Sequence, residues 1–224
     1  MNKYLFPIYA VILGVVIAQF SKNKKNWNTK LLLSFSGAFL LALTLFELLP
    51  EVYNHLDTKL TGLFIMCGIL LQIVLELFSK GAEHGHVHIH KNEKTFPWLL
   101  FISLCIHSFL EGFPIHEHND MVYGVLVHKI PIATIVSLFL FQSKFSITKI
   151  IGFLVVFGSM TPLGTYISNT VDLSAQLAHS INAIVIGIFF HISTTILFES
   201  GEGHKFNLSK FISIILGVGI AYFI

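Results

Sequence analysis

Charge is scarce in this chain. Asp, Glu, Lys and Arg make up only 12% of its 224 residues, about half the share in a soluble domain. Arginine is absent, so all 14 basic residues are Lys. That removes planar, bidentate recognition of phosphate. With no long Lys block and a formal net charge of +2, a nucleic-acid partner is excluded as well. The two cysteines, Cys67 and Cys105, both fall inside apolar runs, so a disulfide framework is not indicated. No polar stretch is long enough to fold outside a membrane. What fills the chain instead is apolar: 54% hydrophobic residues, 22 Phe and a mean hydropathy of +0.76. Disorder, a coiled coil and an ordinary soluble enzyme are excluded, and an all-α integral membrane protein is predicted. Against this background stand 12 His, as many as Asp and Glu together. Polar side chains kept in such a chain mark where its chemistry lies.

A helix crossing ~30 Å of hydrocarbon uses roughly 20 apolar residues, so eight would take about 160 and leave connections of ~7 each. Eight segments fit: residues 4–20, 31–49, 60–78, 96–115, 121–141, 147–167, 173–198 and 206–224. The expectation is one compact transmembrane bundle over residues 1–224, with a cytoplasmic His-rich loop at 79–95. The first segment reads as a retained helix, because no small-x-small cleavage site precedes Lys22, Lys24 and Lys25. Pro131 in the fifth span and Pro162 in the sixth predict kinks, tolerated where neighbours re-satisfy the freed carbonyls. Orientation follows from lysine bias. Connections after spans one, three, five and seven hold Lys22, Lys24, Lys25, Lys30, Lys80, Lys91, Lys94, Lys144, Lys149, Lys205 and Lys210. The opposite side holds Lys3 and Lys59. This bias predicts eight transmembrane helices with both termini outside.

A charge at the bilayer centre costs about 2.5–3.5 kcal/mol on insertion scales and so demands a reason. Span four carries His107, Ser108 and Glu111; His107 and Glu111, four apart, share one helix face. Span five carries His128 and Lys129. A short outer loop joins the two spans, so His107, Glu111 and His128 can meet at one depth. Two imidazoles and a carboxylate suit a borderline divalent cation such as Zn²⁺ and leave a coordination position open. The competing reading is a His–Glu hydrogen bond that only ties two helices together.

These motifs resemble those of the ZIP family of divalent-metal transporters. His107-Ser108-x-x-Glu111-Gly112 is similar to the fourth-helix metal motif of that family, and His128-Lys129 to its fifth-helix motif. Thr161-Pro162-Leu163-Gly164 resembles the sixth-helix signature, and Glu47-Leu48-Leu49-Pro50-Glu51 the second-helix one. The resemblance implies uptake of Zn²⁺ into the cytoplasm, with Fe²⁺, Mn²⁺ and Cd²⁺ as further candidate substrates and no cofactor. It also implies a moving transport bundle of helices 1, 4, 5 and 6 against a scaffold of helices 2, 3, 7 and 8. Many members carry Asn or Asp where Ser108 stands, Pro where Leu110 stands, and carboxylates where Lys129 and Ile132 stand; those acids build a second metal site. Here the Lys129 ammonium is expected to stand in for the second cation.

Other polar residues read as stations along a path. Glu47 and Glu51, with His116, Glu117, His118 and Asp120 in the outer loop, are expected to gather cations at the entrance; Glu47 and Glu51 read equally well as a solvated helix end closed by Pro50. His84, His86, His88 and His90 form a compositional metal-binding tract. His191, with Thr194 and Thr195 on its face, and Glu199 are exit candidates, though His191 could equally hydrogen-bond a neighbouring helix. His179 and Asn182 lie near the outer end of that span. Glu76 reads as a snorkelling side chain. Two other functions compete. An intramembrane metal hydrolase would need a general base, and no HExxH motif occurs. A metal exporter of the cation-diffusion type would have six spans and a soluble C-terminal domain. The expected surroundings are metal ions and the lipid bilayer of a plasma membrane, a bacterial inner membrane, with a homodimer left open.

Overall fold

The computed structural model describes residues 5–21, 29–79, 96–115, 120–199 and 208–224. Among these residues every regular element is a helix. Eight helices are defined: α1 (Phe6–Ser21), α2 (Thr29–Leu43, continued below), α3 (Thr58–Ser79), α4 (Trp98–Leu110), α5 (Met121–Gln142), α6 (Ile147–Thr170), α7 (Ala175–Glu199) and α8 (Leu208–Tyr222). Helices α2, α3, α5, α6 and α7 are long and apolar enough to cross a membrane, and α1, α4 and α8 are shorter apolar helices. Leu63, Met66, Leu70, Ile73 and Leu77 on α3 all face outward and exposed. A continuous apolar face of that kind needs lipid rather than water around it.

Two boundaries differ from the sequence reading. The fourth span was expected to be helical to residue 115, but α4 stops at Leu110 and the chain turns through Glu111–Pro114. Gly112 and Pro114 favour that break. Side chains on α6 take up the carbonyls it leaves over: Thr165 Oγ1 donates to Gly112 O (2.8 Å), Ser168 Oγ to Phe113 O (2.9 Å) and Asn169 Nδ2 to Ile115 O (3.2 Å). Non-helical backbone at membrane depth is tolerated where protein buries it like this. The second difference is at Pro50, which does not end its helix. A π-helical turn, Thr44–Leu48, follows Leu43, and the helix continues from Leu49 to His55. The wider turn absorbs the register change, and Pro50 falls in the first turn of the new segment, where its missing N–H is not needed. Likewise α5 and α6 run on through Pro131 and Pro162.

The helices sort into two groups by packing. Helix α1 lies along α5 and touches α6, and α4 packs on α6; α3 packs on α7, and α2 on α7 and α8. The groups meet where α2 faces α5 and α3 faces α4. Within a group, backbones touch at small residues. A Cβ on Gly164 would overlap the Phe109 carbonyl oxygen, and one on Gly68 would overlap that of Ile184. Such approach is how helices associate in lipid, where burial against hydrocarbon gives no net drive. Between groups, a Cβ on Gly124 of α5 would meet side-chain atoms, Leu43 Cδ1 at 3.2 Å and Leu40 Cδ1 at 3.3 Å. Helix α5 is buried on most of its circumference, including the polar His128, Lys129, Thr134 and Ser137.

Candidate metal site

Where α4 ends against α5 and α6, five polar side chains are removed from solvent. His107, Ser108, Glu111, His128 and Lys129 are each at most 2% exposed. His107 and Ser108 close the last turn of α4, and Glu111 is its C-cap in helical conformation, so the i, i+4 relation survives although the helix ends. His107 Nε2 lies 3.3 Å from Glu111 Oε2. The rings of His107 and His128 are 6.3 Å apart and nearly perpendicular. Lys129 forms an ion pair with Glu111 through Oε1, the other carboxylate oxygen. Its ammonium also donates to Ser108 Oγ (3.1 Å) and Thr161 Oγ1 (2.6 Å), so all three protons have an acceptor. The Phe157 ring lies beneath it, 4.8 Å from centroid to nitrogen.

Thr161 is the functional candidate that sequence reasoning did not place in the site. Its hydroxyl accepts from Lys129 and faces both Glu111 Oε1 (2.7 Å) and the Ser108 carbonyl (2.8 Å). The sixth-helix signature Thr161-Pro162-Leu163-Gly164 was the signal. Gly164, one turn on, lets α6 come close enough for the hydroxyl to reach. Among the described residues no three His, Cys, Asp or Glu side chains converge tightly enough to hold a metal ion in this arrangement.

The remaining candidates fall at the two ends of the bundle. Glu47 Oε2 accepts the backbone N–H of Asp120 at 3.0 Å, tying α2 to the start of α5. Glu51 Oε1 is 4.0 Å from His179 Nδ1. The His55 ring stacks on His179 with centroids 4.2 Å apart, and His55 Nδ1 donates to the Glu51 carbonyl at 2.8 Å. At the other end, His191 Nε2 is 2.6 Å from Glu76 Oε2. Glu76 is therefore not snorkelling; it is held by a partner on α7. Thr194 and Thr195 bond to their own helix, at the carbonyls of Phe190 and His191. His84, His86, His88, His90, His116, Glu117, His118 and the Glu199 side chain lie outside the described residues.

A family model described as ZIP zinc transporter matches residues 79–224, a stretch that holds α4 to α8 and all five buried polar residues. Among curated proteins, zinc transporter ZIP1 of Danio rerio is 29% identical over 136 residues, covering 58% of this chain. The matched part is 45% of that relative's own length.

Proposed function

The chain belongs to the ZIP zinc transporter family, and we propose that it carries a divalent cation, Zn²⁺ foremost, into the cytoplasm through a single site of His107, Glu111 and His128. The observation that carries this is the division of labour at Glu111. One oxygen is taken by Lys129 and Thr161, and the other faces His107. A metal entering on the Oε2 side finds a carboxylate oxygen and an imidazole already paired. His128, on the facing helix, completes the set by turning its ring inward. On the Oε1 side, Lys129 supplies the positive charge that a second cation would bring.

The two packing groups support movement of α1, α4, α5 and α6 as one body against the other four helices. The tightest backbone approaches, at Gly14, Gly68, Gly164, Gly187 and Gly217, all lie within a group, whereas Gly124 of α5 faces side chains of α2. The lysine bias supports both termini outside a plasma membrane and eight crossings. On that orientation, Glu47, Glu51 and Asp120 flank the entrance, and Glu76 and His191 lie toward the exit.

Radiometal flux into proteoliposomes tests the site. His107→Ala, Glu111→Ala and His128→Ala are each expected to lose transport, and normal flux in all three would falsify the proposal. Native mass spectrometry should find one tight metal equivalent at the membrane site; two would remove Lys129 from its role. Acidity gives a further expectation. Histidine ligates only as neutral imidazole, so protons compete with metal. Affinity should weaken as pH falls. A metal titration that tightened on acidification would contradict this.

A further inference from the structure

We infer that Lys129 sets which cations the site accepts. By holding most of the oxygen donors there, it leaves a nitrogen-rich set that takes borderline cations such as Zn²⁺ and rejects hard ones such as Mn²⁺, Mg²⁺ and Ca²⁺. The inference rests on the site proposed above and names the class of cation it takes.

Four side-chain oxygens lie where α4, α5 and α6 meet: both carboxylate oxygens of Glu111, Ser108 Oγ and Thr161 Oγ1. Three of them, Glu111 Oε1, Ser108 Oγ and Thr161 Oγ1, accept from the Lys129 ammonium. The remaining one, Oε2, is turned toward the His107 imidazole. Lys129 is 2% exposed and rests on the Phe157 ring. An ion that took these oxygens would strand a buried ammonium, at the cost of its desolvation. A metal entering the site therefore meets one oxygen and two imidazoles.

Hard cations are held by oxygen. Ca²⁺ takes roughly six to eight oxygen ligands, and Mg²⁺ needs a near-ideal octahedron of them. Mn²⁺ shares their preference for carboxylate, carbonyl and water, whereas imidazole suits Zn²⁺. Zinc is also content with four ligands of mixed nitrogen and oxygen. The ammonium repels any arriving cation, but that repulsion falls alike on every divalent ion and cancels when two of them are compared. The donor set does not cancel, so the ratio of two affinities reports it.

The test is calorimetric titration of the full chain in detergent at one pH, with Zn²⁺ alone and with Mn²⁺ alone. The quantity read is the Kd for Mn²⁺ divided by the Kd for Zn²⁺. Lys129→Met releases Glu111 Oε1 and Ser108 Oγ. Its ratio should fall at least ~10-fold below wild type, since the partners of a ligating carboxylate typically change metal affinity by about 10–100-fold. A proton bound by Glu111 in that variant competes with both metals equally and leaves the ratio unchanged. Lys129→Gln keeps a neutral donor for Oε1 and should move the ratio in the same direction by less, which keeps the test open if Lys129→Met does not fold. Excess Mn²⁺ should also inhibit radiolabelled Zn²⁺ uptake more strongly in Lys129→Met proteoliposomes than in wild type. A wild-type ratio in both variants overturns the inference, as does a wild type that binds Mn²⁺ as tightly as Zn²⁺. Failure of the site itself looks different: His107→Ala and His128→Ala would then bind Zn²⁺ as tightly as wild type, whatever the ratio in the Lys129 variants.

Discussion

Glu111→Ala is expected to abolish metal flux and to destabilise the folded protein by about 3–5 kcal/mol, the usual result of removing one member of a buried ion pair. The reason lies in what remains. Lys129 would stay 2% exposed with only Ser108 and Thr161 as neutral acceptors. The loss is mainly the penalty of a stranded ammonium, not the net worth of the pair. Removing both charges separates the two effects. In Glu111→Gln/Lys129→Met the amide can still accept from Thr161, and no buried charge is left. Stability should return to within about 1–2 kcal/mol of wild type, while metal binding stays weak for want of an anionic ligand. Thermal unfolding in detergent, run beside the flux assay, reads both. Wild-type stability in Glu111→Ala would mean that the Lys129 ammonium is not held as described.

The second large effect is expected one turn beyond Thr161. Gly164→Ala places a methyl against the Phe109 carbonyl oxygen and within 3.5 Å of Gly112 Cα. These are backbone atoms, with no flexible side chain to yield, so α4 and α6 must separate. The bonds at risk are those of Thr161 and Thr165 to Ser108, Glu111 and Gly112. Overpacking plus strained hydrogen bonds should cost about 2–4 kcal/mol, and flux should fall at least ~10-fold because ligands shifted by an ångström lose their geometry. Gly62 and Gly152 serve as controls, since a Cβ there meets nothing within 4 Å. Alanine at either is expected to be neutral or stabilising by up to about 1 kcal/mol. Equal melting temperatures for Gly164→Ala and Gly152→Ala would show that the α4–α6 approach is not tight.

Much of the candidate site was legible because its members are close in sequence. His107 and Glu111 declare themselves by spacing four in an apolar run, and the His107–Glu111 approach of 3.3 Å follows from helix geometry alone. His128 and Lys129 stand out because a buried charge needs a reason. Thr161 was harder to read. A lone threonine in an apolar helix carries no charge signal, and 50 residues separate it from Glu111. Glu76 was misread for a related reason: its partner His191 lies 115 residues away, and near a helix end an acidic side chain reads as solvated.

Insertion into a membrane adds up residue by residue along each segment, so composition and spacing alone determined the helical class, the approximate helix bounds and the i, i+4 pairing of His107 with Glu111. Which oxygen of Glu111 meets Lys129, that α4 ends at Leu110, and that the helix of Pro50 runs on to His55 were decided only by the tertiary structure. Those features depend on how each helix is rotated and how closely two backbones approach. That is set by pairs of small residues far apart in the chain, such as Gly112 and Gly164, whose meeting no local pattern records.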